Sequence, residues 1–288
     1  MNVSIEAQNG VKIPQLGFGV YNVKQGKDGV FEKTISEAIE AGYRHFDTAR
    51  IYGNEEALGR EIQKSGIARE DFFLTSKVWT TDLGYAQTLR AFEKSCQKLN
   101  TNYLDMYLIH FAAPHYVEAW KAMERLYSEG KIRVIGVANF EIEHLEQLMK
   151  HAKIAPMINQ IETHPEFQQH RLREYMFRHR ILHEAWAPLG QGNKALFENK
   201  VLKAIARRHQ KTVGQVILRW HLNRDTIVIP KSSNPKRIKE NIDLFNFNLS
   251  DEEMEQIGEM DVGKRYSVNP KGYNINPIVV NVMKLFLK

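Results

Sequence analysis

Cysteine is almost missing from this chain: among 288 residues only Cys96 carries a thiol. An intrachain disulfide is excluded, and because Cys96 falls inside a helical pattern it reads as a small buried apolar residue, not a nucleophile. Also missing is any run approaching the roughly 18 consecutive apolar residues that a membrane helix needs. The opening residues, MNVSIEAQNG, lack the basic start and apolar stretch of a secretory signal, so a soluble, cytoplasmic protein is expected. There is no basic run either. Lys and Arg exceed Asp and Glu by 40 to 34, a net charge of +6, but they are scattered and do not form a face that tracks phosphates. Nucleic acid is therefore not an expected partner, and an anionic small molecule suffices. Low-complexity segments and interdomain linkers are lacking too, which leaves residues 1–288 as one domain, and 43% apolar residues can fill one large core.

What is present is a regular alternation. Val3-Ser4-Ile5 and Val11-Lys12-Ile13 flank Asn9-Gly10, which predicts a hairpin with a type I′ turn. Short apolar runs then end near Phe18, Asp47, Lys77, His110, Val137, Glu162, Ala187 and Pro230. Helical periodicity fills the intervals, for example over 30–41, 57–62, 86–99, 117–126, 145–149 and 172–177. Eight strands each followed by a helix define an α/β fold with a parallel sheet. Of the two topologies available, a doubly wound sheet and a closed (β/α)8 barrel, eight units without a composition break favour the barrel. Between the last two strands lie two helical patterns, 201–208 and 213–222, so one is an extra helix. The span 235–244 reads as the eighth barrel helix and 250–260 as an addition, with Ser250 and Glu253 forming a capping box. The tail, 263–288, is irregular and then apolar.

In such a barrel chemistry sits at the C-terminal ends of the strands. Asp47, Lys77 and His110 end the second, third and fourth strand patterns, and Tyr52 lies on the loop after the second. Alone, each has a plain structural reading: a helix cap, a loop aromatic, a rim charge, a strand-end histidine. Together they form a sensible acid–base unit. A tyrosine with an ordinary pKa near 10 is a poor proton donor unless a cation stabilises its phenolate. Lys77 would supply that cation, Asp47 would hold Lys77, and His110 would orient a carbonyl or assist proton transfer to its oxygen. A glycosidase needs two acids facing one bond, and no second acid to pair with Asp47 is apparent.

The segments FDTARIYGNEEALGREI, LTSKVW, LDMYLIHF, IRVIGVANF, INQIETHP, AWAPLGQG and IVIPKSSNPKRIKEN follow one another in the order and spacing of the aldo-keto reductase superfamily. The chain resembles that family from Leu16 to about Met260, and is most similar to its microbial branch of 2,5-diketogluconate, glyoxal and methylglyoxal reductases and prostaglandin F synthase-like enzymes. The resemblance implies a (β/α)8 barrel, NADPH-dependent reduction of aldehydes and ketones, and Asp47, Tyr52, Lys77 and His110 as the catalytic tetrad with Tyr52 as general acid. A non-enzymatic NADPH-binding redox sensor or structural protein on the same barrel is the alternative, against which the intact tetrad speaks.

For the cofactor, Gly17-Phe18-Gly19 begins like a dinucleotide fingerprint, but Asn22 stands at the third glycine, so a Rossmann turn is unsupported. Asn139 and Gln160 offer amides suited to a nicotinamide carboxamide, and Trp186 offers a face for its ring; the resemblance gives them those roles and adds Leu189. Lys231, Ser232, Ser233 and Arg237 follow the eighth strand, where cations and hydroxyls suit the 2′-phosphate of NADP and favour NADPH over NADH. Glu240 and Asn241 match the family's adenine contacts within the pattern PKS-x-x-x-x-R-x-x-E-N.

Departures from the family concern the cofactor and substrate walls. Ala138 replaces a usual serine, removing one hydroxyl contact worth about 0.5–1.5 kcal/mol. Ala187 replaces another serine, and Phe111 a usual tryptophan, with Ala112-Ala113 before Pro114. Tyr21, Trp79, His110 and Phe111 form an aromatic rim suited to small aldehydes, α-dicarbonyls and keto-sugars. No metal is expected, and a monomer is expected, with a dimer left open by the apolar tail from Pro277. That tail has further fates: covering the pocket behind a closing loop at 263–273, adhering to a membrane surface, or folding back on the barrel.

Overall fold

The computed structural model describes residues 3–23, 29–267 and 269–270. Strands β1 (Ser4–Glu6) and β2 (Lys12–Pro14) form an antiparallel hairpin in which Glu6 faces Lys12. Its turn differs from the expected type I′. Gly10 N–H donates to Ala7 C=O at 2.9 Å, and within the turn Gly10 has positive φ (81°) whereas Asn9 does not. This is the pattern of a type I turn followed by a left-handed glycine. The cause is tertiary: Asn9 donates its amide to Arg133 C=O at 2.8 Å and to the Tyr127 hydroxyl at 3.2 Å, and its Oδ1 accepts from Val11 N–H. Those bonds fix Asn9 in a conformation that a type I′ turn would not permit.

The eight remaining strands form one parallel sheet. They are β3 (Phe18–Gly19), β4 (His45–Asp47), β5 (Phe73–Val78), β6 (Leu104–Ile109), β7 (Ile132–Ala138), β8 (Ile158–Glu162), β9 (Leu182–Trp186) and β10 (Ile227–Val228), neighbours in sequence order. The sheet closes on itself. Leu16 bridges Val228 in parallel, Gly17 N–H reaches Val228 C=O at 2.8 Å, and Gly19 N–H reaches Pro230 C=O at 3.2 Å. A Cβ on Gly19 would lie 2.8 Å from Ile229 O, and one on Gly17 would lie 2.7 Å from the His45 ring. The two glycines thus permit the close approach of first and last strands, which is why they imitate half of a dinucleotide fingerprint without being one. The fold is the expected (β/α)8 barrel.

Every residue of β5 and β6 is buried, as expected for strands covered by the barrel interior on one face and helices on the other. Those helices are α1 (Val30–Glu40), α2 (Glu55–Lys64), α3 (Tyr85–Leu99), α4 (Tyr116–Ser128), α5 (Ile142–Met149) and α6 (His170–Arg178). The segment between β9 and β10 holds a short α7 (Lys194–Phe197), α8 (Lys200–Arg208) and α9 (Val213–Leu222). Leu218 and Leu222 of α9 join the main core, whereas Leu202, Ile205 and Ala206 of α8 belong to a separate cluster with Trp220, Leu249 and Ile257. The extra helix is α8. The chain then forms α10 (Pro235–Ile242) and α11 (Asp251–Gly258), the latter started by the expected Ser250–Glu253 capping box. Among the described residues no helix is long and apolar enough to cross a membrane.

At the N-terminal end of the strands Asp105 is fully buried and fully engaged. Its carboxylate accepts from Leu74 N–H at 2.9 Å and Arg133 Nη1 at 2.7 Å, and meets Arg69 Nη2 at 2.8 Å.

Candidate active site

Three strand ends and one turn build the site. Asp47 closes β4, and the chain leaves it through Thr48 and a single 3-10 turn, Arg50–Tyr52, ended by Gly53 in the left-handed region (φ 70°). That turn brings Tyr52 back over the barrel mouth. Lys77, fully buried near the end of β5, reaches across to donate to Asp47 Oδ1 at 2.5 Å and to Thr48 C=O at 3.0 Å. Its Nζ lies 5.2 Å from the centre of the Tyr52 ring. His110, just beyond β6, stands edge-on to Tyr52 with ring centroids 5.7 Å apart. The four residues named as a tetrad therefore meet at one rim.

Electrostatics assign a state to Tyr52 and to His110. Burial first, and the negative charge of Asp47 next, hold the Tyr52 phenol well above its ordinary value, so the phenol keeps its proton. Lys77, expected from the sequence to ease ionisation, is paired with Asp47 at 2.5 Å, and in the resting site burial outweighs it, so the net push is upward. His110 is pushed well below the ordinary histidine range, by burial and then by Lys77. It is a neutral imidazole, and its Nδ1 is buried without a hydrogen-bond partner among the described residues.

One further group shares this interior: Glu184, in the middle of β9, fully buried and facing Gln160 of β8 in register. Burial, reinforced by Asp47, pushes its carboxyl up to about 8. The expectation of no second acid near Asp47 is thus corrected. The available signal was the alternation in Leu182–Trp186, which places Glu184 on the same face as Trp186, inside the barrel. As a glycosidase pair the two acids are unsuited, because Asp47 is bound by Lys77 and by Gln160 Nε2 at 2.9 Å.

The residues expected at the cofactor fall in two groups. Asn139, in the left-handed region (φ 60°), donates to His110 C=O at 3.0 Å and accepts from Trp186 Nε1 at 2.9 Å. Gln160 donates to Asp47, so these amides are partly committed to the barrel, each keeping a further hydrogen-bonding position. Leu189 packs half-buried beside Gly190, whose added Cβ would meet the Tyr266 ring at 3.1 Å. The second group surrounds the start of α10. Asn234 caps it by accepting Arg237 N–H at 3.1 Å, Pro235 occupies the first turn, and Ser233 and Arg237 are exposed beside buried Ser232. Partial burial and then the Arg237 charge push the Lys231 ammonium down; two cations held together in this way are relieved by an anion between them. Asn241 is buried in the same helix, while Glu240 lies 3.7 Å from Lys236. This donor set fits a nicotinamide dinucleotide carrying a 2′-phosphate.

The expected substrate rim is aromatic as built. Tyr21 is 5.0 Å from Tyr52, Trp79 is 5.1 Å from His110, and Phe111 stacks on His110 at 5.2 Å between ring centroids. The start of the expected closing loop is docked on the segments that follow β7 and β8. Tyr266 N–H donates to Glu162 Oε1 at 2.6 Å, Arg265 pairs with Glu141 at 3.1 Å, and the Tyr266 ring stacks on His164 at 4.6 Å. The apolar tail from Pro277 lies outside the described residues.

Known proteins resemble this chain in sequence and in fold. The sequence model of the aldo/keto reductase family matches residues 15–262. Glyoxal reductase of Bacillus subtilis is 48% identical over 268 residues, covering 93% of this chain and 96% of that protein. The crystal structure of an aldo/keto reductase from Brucella melitensis superposes with a TM-score of 0.86 at 47% identity, over 91% of this chain and 100% of the other. A mutant form of Gox0644 in complex with NADPH superposes with a TM-score of 0.88 at 41% identity, over 94% and 98% of the two chains.

Proposed function

The chain belongs to the aldo/keto reductase family, and from that premise we propose how its own residues carry out the family's reaction and on which substrates. It is an NADPH-dependent reductase of aldehydes and ketones. The substrates we assign are small aldehydes, α-dicarbonyls and keto-sugars, supported by the uncharged aromatic rim of Tyr21, Trp79 and Phe111 and by the likeness to a glyoxal reductase.

In this reading bound NADPH supplies a hydride to the carbonyl carbon. Neutral His110 points the carbonyl oxygen toward Tyr52, and Tyr52 delivers its phenolic proton to that oxygen. Lys77, fixed by Asp47 and Thr48, stabilises the phenolate left behind. Asn139, Gln160 and Trp186 hold the nicotinamide end, with Leu189 beside it, while Lys231, Ser232, Ser233 and Arg237 hold the 2′-phosphate and Glu240 and Asn241 the adenine. The observation that carries the proposal is the fully buried Lys77–Asp47 pair beneath a protonated Tyr52 and beside a neutral His110. The proposal includes a one-domain monomer acting in the cytoplasm.

NADPH consumption across glyoxal, methylglyoxal, simple aldehydes and keto-sugars tests the substrate assignment. The α-dicarbonyls are expected to give the highest kcat/KM. A preference for bulky or charged carbonyl compounds would refute it, and light scattering checks the monomer.

A further inference from the structure

Glu184 is a fully buried acid that the reaction above does not use. It is fully buried, and neither carboxyl oxygen has a hydrogen bond of ordinary geometry among the described residues. The Gln160 amide, in register with Glu184, donates one N–H to Asp47 Oδ2 at 2.9 Å and lies close enough for the other to favour the Glu184 anion. The groups that face Glu184 are Asp47 from β4, Lys77 from β5 and Gln160 from β8, and Glu184 in turn is among the charges that act on Tyr52. A buried acid with no bond of ordinary geometry is costly if ionised, and an apolar residue of similar volume would serve a purely structural position better. Its neighbourhood therefore asks for a role.

Resting on the reading that Tyr52 donates the proton, we propose that Glu184 is a positioning residue for the Lys77–Asp47 pair and sets the alkaline limit of proton delivery. As the neutral acid it leaves the Lys77 charge matched by Asp47 alone, and Lys77 remains available to the phenolate that forms at Tyr52. When Glu184 releases its proton to water, a second negative charge enters the interior. Lys77 is then shared between two carboxylates, the phenolate loses its stabilising cation, and Tyr52 becomes a weaker donor. The carboxyl is pushed up to about 8 by burial and Asp47, against a smaller opposing pull from Lys77. The switch therefore lies just above neutral pH.

Glu184→Gln supplies a neutral group of the same shape. The wild-type enzyme is expected to lose kcat on the alkaline side with a midpoint near 8. Glu184→Gln is expected to lower kcat near neutral pH by less than about tenfold and to move that midpoint upward by at least about one pH unit. An unmoved midpoint, or a larger loss near neutral pH in a folded variant, overturns the proposal. Infrared difference spectra of the wild-type protein give a second readout that needs no variant. A buried protonated-carboxyl band is expected to vanish as pH passes 8, and a band that is absent or unchanged throughout overturns the proposal as well. Tyr52→Phe, assayed alongside, separates the two ideas: an inactive Tyr52→Phe with an unmoved Glu184→Gln midpoint sinks only the Glu184 role, whereas an active Tyr52→Phe sinks the proton-donor reading itself.

Discussion

The two ends of the barrel treat buried charge in opposite ways. At the N-terminal end Asp105 takes three donors, from Leu74, Arg69 and Arg133, and its carboxylate is fully engaged. At the C-terminal end Asp47 and Lys77 are paired, yet both oxygens of Glu184, Nδ1 of His110 and Nε1 of Trp79 are buried without hydrogen-bond partners among the described residues. Leaving such groups unpaired costs stability. One end therefore behaves as foundation, and the other keeps uncommitted groups where a cofactor and a carbonyl oxygen would find them.

The most direct way to upset this contrast is a change at the upper end that leaves stability alone. Tyr52→Phe should lower kcat by about 10²–10⁴-fold, the usual contribution of a general acid, with NADPH affinity nearly retained. Stopped-flow turnover and fluorescence titration would check both halves. A variant that keeps more than about a tenth of the wild-type rate removes Tyr52 from proton delivery. The reverse experiment belongs to the lower end. Asp105→Ala strips Leu74 N–H and two guanidinium groups of their acceptor and should cost about 3 kcal/mol in urea unfolding, while kcat per folded molecule is retained. A large loss of kcat without a loss of stability would show that the two ends are not separable in this way.

A third change probes the upper end away from the chemistry. Arg237 lies exposed at the start of α10, and Lys231 feels its charge. Arg237→Ala should weaken NADPH binding by about 1.5–3 kcal/mol and NADH binding little, because only the former carries the phosphate that a guanidinium grips. Equal losses for both cofactors, measured by calorimetry, would place the 2′-phosphate elsewhere.

How much of this contrast was legible in the sequence differs between its two ends. The strand ends at Asp47, Lys77 and His110 were readable because a polar residue closing an apolar run is seldom placed there by packing alone, and Tyr52 followed from its loop. The barrel itself was readable from eight repeated units. Glu184 was not singled out: alternation in LHEAW sets it on the face of Trp186, but only the register with Gln160 of β8, itself bonded to Asp47, shows that this face buries a second acid. The Asn9-Gly10 turn misled for a related reason: hydrogen bonds to Arg133 and Tyr127, more than a hundred residues away, outweighed a local preference. Gly17 and Gly19 imitated a phosphate turn because seam closure and phosphate binding both require a backbone without Cβ.

The expectation most specific to the asymmetry is the pH dependence of stability at Glu184. The folded barrel holds the Glu184 proton up to about pH 8, whereas an unfolded chain releases it near the ordinary glutamate value of about 4.3. Between these limits the folded state binds more protons than the unfolded one. Each rise in pH therefore draws the equilibrium toward the unfolded chain, by about 1.4 kcal/mol per pH unit for one proton. The contribution is intact below the unfolded value and is progressively lost as pH climbs toward 8. Glu184→Gln has no such proton. Its stability relative to wild type should improve steadily from mildly acidic to mildly alkaline pH and then level off, a trend that urea denaturation at several pH values would resolve. A difference that stays flat would mean that Glu184 is either ionised or fully satisfied inside the fold, and the upper end would then treat its buried acids as the lower end treats Asp105.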